Sequence, residues 1–416
     1  MSNFSKTIAY FKRNGFSNTL FAVKERLDKK NCDTMQKQVR NYQFAEKMVA
    51  DSELADSFFQ KKYTFSILVP TYETKECYLR EMMDSVLNQS YGEFELILAD
   101  ASHSTQVHEV VKTDDDQRIK YLSLEENRGI SENTNEALKV ATGDYVALLD
   151  HDDVLTRHAL HSMMVVLQKA EYEMIYSDED KCNENTTQFF DPHLKMDFNL
   201  DLLLSNNYIC HFMAIKRELI QKLGFRKEYD GAQDYDLVLR VVANLLSFET
   251  KNLVEAGTSK IAHIEEVLYH WRCHMDSTAA NPESKRYAYE AGKRALEDFL
   301  KSMKIQASVS HTGHLGFYKV TYEGDIFEQR PEVYAIGGRV MKKKLVIGGP
   351  TYKKQMLFNG LHQTYSGYMH RASLYLQVDS LDERCCIVRT GGVKDSKNGV
   401  NENMIYVYDP KMTTKI

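Results

Sequence analysis

From residue 63 onward the chain alternates between two apolar periodicities. Thr64-Phe-Ser-Ile-Leu-Val-Pro70, Phe94-Glu-Leu-Ile-Leu-Ala-Asp100, Ile119-Lys-Tyr-Leu-Ser-Leu124 and Tyr145-Val-Ala-Leu-Leu-Asp150 have the length and side chains of buried strands. Between them, Leu79, Met82, Met83, Val86 and Leu87, and later Glu132 to Ala141, follow the spacing of helices. Strands separated by helices predict a parallel sheet with right-handed crossovers, hence an α/β domain of the nucleotide-binding kind. In such a sheet Pro70, Asp100 and Asp150 all fall at carboxyl ends of strands, where ligands bind.

The pattern continues with a helix over His158–Lys169 and a strand, Glu173-Met-Ile-Tyr-Ser-Asp178-Glu179-Asp180, that ends in carboxylates. A loop-rich stretch from Asp191 to Asn207 leads to a strand near Phe212–Lys216. Gly231-Ala-Gln233-Asp234-Tyr-Asp236 opens a helix whose apolar face is Leu237, Val238, Val241 and Val242. Ile261–Tyr269 reads as a strand running into His270-Trp-Arg272-Cys-His274, and Pro282–Met303 as a charged amphipathic helix. Residues 304–416 read as β-rich, with glycine turns at 337–338, 348–349 and 391–392. Residues 1–62 stand apart. Phe4, Ile8, Phe11, Leu20, Val23 and Leu27 recur at near-helical spacing among Lys6, Lys12, Arg13, Lys24, Arg26, Lys29 and Lys30, with a break at Gly15. A basic amphipathic segment of this kind can lie on an anionic membrane surface, pack as a hairpin on the main domain, or meet a partner.

Composition narrows the class. A chain of 416 residues with 43% apolar and 27% charged residues has room for two or three globular domains. The net charge of -6 gives no nucleic-acid signature, so a phosphate ligand must be met locally. Seven scattered cysteines without C-x-x-C spacing predict free thiols in a reducing compartment. No run of 18 apolar residues and no signal-peptide core is found, so the expectation is a cytoplasmic protein able to sit on the membrane's inner face.

The chemistry concentrates at Asp150-His151-Asp152-Asp153. Three carboxylates in four positions repel one another unless a cation or several donors neutralise them. Hard divalent ions, Mn²⁺ or Mg²⁺, take oxygen ligands and bridge to phosphates. The plainer reading is a solvated acidic turn, and Asp234, in the first turn of its helix, reads on its own as a cap. No G-x-G-x-x-G follows a strand and no G-x-x-x-x-G-K-[ST] occurs, which disfavours dinucleotide dehydrogenases and P-loop enzymes.

Taken in order, these motifs resemble the family 2 glycosyltransferases, inverting nucleotide-sugar enzymes of the GT-A fold. The resemblance rests on Val69-Pro70-Thr71-Tyr72, then Gln89-Ser-Tyr91 with the strand to Asp100. It continues through Asn127-Arg-Gly129-Ile, Asn135, Gly143-Asp-Tyr145 and Leu149-Asp150-His-Asp152-Asp153. Tyr176-Ser-Asp178-Glu179-Asp180, Ser205-Asn-Asn-Tyr208 with His211, Gly231-x-Gln233-Asp234-Tyr-Asp236 and Tyr269-His270-Trp-Arg272-x-His274 look like the subgroup that builds bacterial surface polysaccharides, rhamnosyltransferases among them. The likeness implies a mostly parallel GT-A sheet with flanking helices over residues 63–303. It implies a UDP- or dTDP-sugar donor, a hydroxyl on a glycan or lipid-linked acceptor, and Asp234 as general base. Donor contacts would come from Pro70, Thr71, Tyr72, Glu73, Asp100, Asn127, Gly129, Asn135, Asp150, Asp152, Asp178, Glu179, Asp180 and Arg272. A divalent metal would sit on Asp152, Asp153, His270 and His274; which of Asp152 and Asp153 faces ribose and which the metal stays open. His211 and Gln233 are assigned to the acceptor side, and His151 is expected to point away into the fold.

The tail, 304–416, looks like a middle fragment of a second such domain, through Ile336-Gly-Gly338-Arg and Ser366-Gly-Tyr368-x-x-Arg371. It lacks the acidic motifs and is expected not to catalyse but to pack, dimerise or help hold the acceptor. Two other classes remain in view: a silent nucleotide-sugar-binding scaffold, and a metal-dependent nucleotidyltransferase. The latter usually needs a basic or glycine-rich phosphate loop, and Pro70-Thr-Tyr-Glu-Thr-Lys75 does not supply one.

Overall fold

The computed structural model describes residues 34–54, 58–248, 260–274, 286–390 and 404–416, with scattered positions before residue 34. The expected N-terminal helices fall mostly outside the described residues, as do Gly391 and Gly392. Within them, Thr34–Arg40 and Asp51–Leu54 are short helices, but residues 41–50 form no regular element, contrary to the all-helical expectation.

The first sheet follows the alternating pattern closely. Its strands are β1 (Phe65–Thr71), β2 (Phe94–Asp100), β3 (Ile119–Ser123), β4 (Tyr145–Leu148), β5 (Val154–Leu155), β6 (Met174–Asn183), β7 (Phe189–His193), β8 (Met213–Lys216) and β9 (Ile261–Cys273). The order is β3-β2-β1-β4-β8-β6-β9-β5, with β7 added to β6. β1, β2, β3 and β4 are parallel, joined by α1 (Glu76–Leu87), α2 (Gln106–Lys112) and α3 (Ile130–Val140). β8 then enters antiparallel to both β4 and β6, because a loop rather than a crossover helix delivers it. The longer helices that follow in this domain are α4 (Ala159–Leu167), α5 (Arg217–Leu223), α6 (Gln233–Phe248) and α7 (Arg286–Ser302). This curled α/β sheet with its parallel half carrying the strand ends fits the GT-A expectation.

Strands buried on both faces read as continuous apolar runs, and β2 is buried at all seven positions. Ser66, buried inside β1, is satisfied by donating to Glu95 at 2.6 Å and accepting from the Gly143 amide at 2.8 Å. A side chain at 143 would strike the Ser66 backbone at 2.7 Å, so the turn before β4 requires glycine.

The tail begins with the hairpin β10 (Ala307–His311) and β11 (Tyr318–Tyr322). It continues as β12 (Val333–Lys342), β13 (Leu345–Gly348), β14 (Thr351–Tyr352), β15 (Gln355–Met356), β16 (Leu376–Val378), β17 (Cys386–Val388) and β18 (Ile405–Lys415). β13-β12-β18-β16, with β17 on β12, make a five-stranded sheet. One apolar cluster runs unbroken from Leu200, Val238 and Leu296 to Val320, Met341, Leu376 and Tyr408, so the tail shares a core with the first domain. Arg330, 1% exposed, reaches Asp201 at 3.0 Å across this junction. The loop-rich stretch expected at 191–207 is thereby covered. Tyr368 donates to the Pro192 carbonyl, Arg371 to that of Leu194, and Gln377 exchanges hydrogen bonds with Asn199.

Candidate functional site

The carboxyl ends of β1, β2 and β4 form one rim. At its far end Asp100 is buried and fully engaged: it accepts from Thr71 (3.1 Å), Ser102 and Tyr121 (2.7 Å). Burial, and then the Asp100 bond, push the Tyr121 hydroxyl up to about 12. Glu73, at φ 48°, ties the neighbouring loop together by accepting from the amides of His103 and Ser104 and from the Ser104 hydroxyl. The Ser104 and His103 bonds hold it below the usual glutamate range. Pro70 is half-buried, and Tyr72 stands 45% exposed beside His103.

The acidic turn after β4 divides its three carboxylates. Asp150 opens on the cleft with 47% of its side chain exposed, 3.8 Å from His211 Nε2. The surrounding protein raises it, with the like charges of Asp152 and Asp234 adding and His211 opposing; its open face lets water moderate the rise. Asp152 meets His274 Nε2 at 2.8 Å. Asp153 does neither. It is wholly buried, bonded to the Tyr269 hydroxyl and, at 2.7 Å, to the Arg272 amide. Burial, then Asp152 and Asp150, hold it well above the usual carboxylate range. The expectation that Asp153 takes a metal is therefore corrected: both its oxygens fasten β9 to the turn.

The paired strands β6 and β9 sort their residues by alternation. Glu179 lies opposite Tyr269 and Asp180 opposite His270, so the two pairs face opposite sides of the sheet. On the far side His270, 4% exposed, sits 2.5 Å from Asp180 between the rings of Phe44 and Phe189, and Tyr42 donates to Asp180 at 2.6 Å. His270 and Asp180 are thus withdrawn from the metal and donor roles expected of them. Arg272 is committed to the fold through two of its three guanidinium nitrogens, while its buried Nη2 has no hydrogen-bond partner among the described residues. Fully buried on that side, it ties the Asp152 and Glu184 carbonyls and the Glu81 carboxylate together above the Tyr78 ring.

On the cleft side Glu179 lies 3.1 Å from both His193 and His211 and 3.6 Å from the buried Lys195 ammonium. Burial alone would raise Glu179; Lys195 and the two imidazoles overcome it and hold the carboxyl well below its ordinary value. Burial alone would lower His211, and Cys210 and Glu179 reverse that and hold it well above. The His211 ring stacks on Tyr269 at 4.7 Å. Burial pushes the Cys210 thiol up to about 11. Asp178 beside them is spent on the Lys195 amide and His263, both at 2.8 Å.

Asp234, in the first turn of α6, faces this group from across the cleft. Its Oδ2 accepts from the Asn207 amide at 2.7 Å and lies 3.8 Å from Cys210 Sγ. A capping role alone does not describe a carboxylate held by a side chain from another loop. Gln233 turns back to accept from the Gly231 amide at 2.8 Å. Asn127 accepts from Gly129 and Asn133, and Asn135 brackets Phe225 through both amide atoms, so these asparagines shape the start of α3. Gly129, at φ 101°, would place a Cβ 2.4 Å from Asp230. His151 keeps a buried Nδ1 without a hydrogen-bond partner.

The site thus gathers Asp150, Asp152, His211, Asp234 and His274, all expected, with Glu179 turned from donor contact to partner of His211. Asn207, Cys210 and Lys195 were not expected as site residues; Asn207 lay inside the quoted Ser205-Asn-Asn-Tyr208 motif, which was the one available signal. Glu179, Cys210 and His211 present ligand atoms within 4.8 Å of one another.

The uncharacterized protein y4gI of Sinorhizobium fredii is 40% identical over 240 residues, which is 56% of this chain and 25% of that protein. The O-antigen biosynthesis protein RfbC of Myxococcus xanthus is 31% identical over 66% of this chain and 21% of its own length. The chain therefore spans about a quarter or less of these two relatives. The UDP-Glc:alpha-D-GlcNAc-diphosphoundecaprenol beta-1,3-glucosyltransferase WfgD of Escherichia coli is 29% identical over 43% of this chain and 70% of that enzyme. Residues 66–224, from β1 through the acidic turn to the end of α5, match the model of glycosyl transferase family 2.

Proposed function

We propose that the chain transfers a glycosyl group, with inversion, from a UDP- or dTDP-linked sugar to a hydroxyl of a bacterial cell-surface glycan under construction. The observation that carries this reading is the opposition of Asp150 and Asp152, at the end of β4, to Asp234 on α6, with His211 and Cys210 between them. Asp234 takes the proton of the acceptor hydroxyl as that oxygen bonds to the anomeric carbon. The bond from that carbon to the diphosphate breaks, and its electron pair leaves with the nucleoside diphosphate. A positioned base of this kind contributes about 10²–10⁴-fold. Asn207 fixes the orientation of Asp234 through a hydrogen bond to one oxygen, which leaves the other for the proton.

The pair suits a hard divalent ion: Asp152 supplies carboxylate oxygen and His274 imidazole nitrogen 2.8 Å away. Mn²⁺ or Mg²⁺ held there would neutralise charge on the diphosphate. Rhamnose is among the sugars this reading admits. The E. coli relative's name, with its diphosphoundecaprenol-linked acceptor, supports a lipid-linked acceptor for this chain and, with it, work at a membrane surface. Among the described residues no helix is long and apolar enough to cross one.

Product analysis tests the reaction class. Incubation with UDP-glucose or dTDP-rhamnose, Mn²⁺ and a lipid-linked saccharide is expected to release nucleoside diphosphate. Release of pyrophosphate or of sugar phosphate would overturn the proposal in favour of nucleotidyl transfer.

A further inference from the structure

A cavity of about 450 Å³ lies between the first domain and the tail. Three tyrosines (Tyr318, Tyr365, Tyr375) and three cations (Lys319, Arg339, Lys411) line it, with hydroxyl and amide side chains between them. No aspartate or glutamate lines it among the described residues, although the chain as a whole is acidic at -6. None of the three cations forms a side-chain ion pair among the described residues. Arg339 donates through Nη2 to the Pro410 carbonyl at 3.3 Å, while its Nε is buried with no hydrogen-bond partner. A buried charged donor left unmet is costly, and the cheapest remedy is a ligand that accepts from it.

The cavity is also tied to the proposed base. Ser205 is in its wall and its carbonyl accepts from the Tyr318 amide at 2.7 Å; Asn207, two residues on, holds Asp234. Tyr318 stacks at 6.2 Å on Tyr235, the residue next to Asp234 in the first turn of α6. Tyr235 and Tyr318 are both buried, so this pair forms the wall between the cavity and the start of α6.

We propose that this cavity is a subsite for the acceptor beyond the attacked hydroxyl, and that it selects a saccharide carrying a negative charge, as phosphate or carboxylate. The inference rests on the glycosyl-transfer reading above. Tyr375, partly exposed, offers a sugar ring an apolar edge, the hydroxyls and amides meet sugar hydroxyls, and the cations meet the anion. The tail thereby contributes specificity without catalytic groups of its own.

The test uses the full chain and three probes: N-acetylglucosamine 1-phosphate, glucuronic acid and N-acetylglucosamine, titrated at low salt. The charged probes are expected to bind about tenfold more tightly than the neutral one, the size one charge-assisted hydrogen bond supplies. The Lys319→Gln/Lys411→Gln pair, both at exposed positions, should erase that preference while leaving UDP-sugar affinity intact; Arg339→Gln should do the same. Asp152→Asn, at the donor site, should leave it untouched. Preference for the phosphate probe alone points to the acceptor's phosphate, and equal preference for glucuronic acid points to an acidic sugar. Binding of UDP-sugar with no charge preference, or a preference that survives in the lysine pair, overturns the subsite and spares the transferase. Failure to bind any nucleotide sugar overturns the transferase reading and this one with it.

Discussion

Two acidic strand ends of one sheet look alike in sequence and meet opposite fates. Asp150-His-Asp152-Asp153 follows β4, and Asp178-Glu179-Asp180 lies within β6. The first leaves two carboxylates facing the cleft, because β4 is short and its last residues turn out of the sheet. The second stays in a ten-residue strand, where alternation sends neighbours to opposite faces and every carboxylate finds a partner: His263, His211 with Lys195, or His270. Clustered carboxylates become a ligand site where the backbone leaves the ladder and become internal struts where it remains in it.

The largest effect expected from breaking this contrast lies across the cleft. Asp234→Asn should lower turnover by about 10²–10⁴-fold while nucleotide-sugar binding, measured by calorimetry, stays within about twofold. Substitutions at the struts should act on stability instead. Asp180→Ala, which strands His270 and Tyr42, and Asp153→Ala, which strands Tyr269 and the Arg272 amide, should each cost about 1–3 kcal/mol in denaturant unfolding. Donor affinity of the folded fraction should persist in both. Loss of metal-dependent donor binding in Asp153→Ala at full stability would reverse the assignment made here.

Much of this was legible from the chain. Apolar runs and near-3.6 patterns placed β1, β2, β3 and α3 within a residue or two; β1 and β2 leave a continuous apolar trace because they are buried on both faces, whereas β3 is only half-buried. Asp150, Asp152, His274 and Asp234 could be named from motif order. The division between Glu179 and Asp180, or between Asp152 and Asp153, could not, because it depends on strand pairing and on how far the last carboxylate reaches before the chain turns. Cys210 and Lys195 carry no local signal; they reach the site through a loop that the tail holds in place. The segment Tyr42–Lys47 reads as part of a helical region yet crosses the far side of the sheet, with Phe44 on His270 and Lys47 on Glu266.

A smaller effect concerns acid. Glu179 is held below its ordinary value, so its stabilising contribution is complete above about pH 4.5 and is lost as pH falls through the lowered folded value. Glu179→Gln should therefore flatten the acid limb of a melting-temperature profile below that pH. An unchanged limb would mean that another carboxylate governs it. The smallest effect belongs to the strap: Tyr42→Phe removes one hydrogen bond to Asp180 and should cost about 1 kcal/mol, read as a small fall in melting temperature with activity retained.

The most direct test of the open acidic end is nucleotide-sugar binding to the wild-type chain and to Asp152→Asn, by thermal shift against UDP- and dTDP-sugars with Mn²⁺ or with EDTA. A ligand at a hundredfold excess over its dissociation constant raises stability by about 2.7 kcal/mol, which a melt resolves. A Mn²⁺-dependent shift for one nucleotide class is expected in the wild type, with its loss in Asp152→Asn at unchanged ligand-free stability. A shift of the same size in both proteins, or in neither, would contradict this expectation.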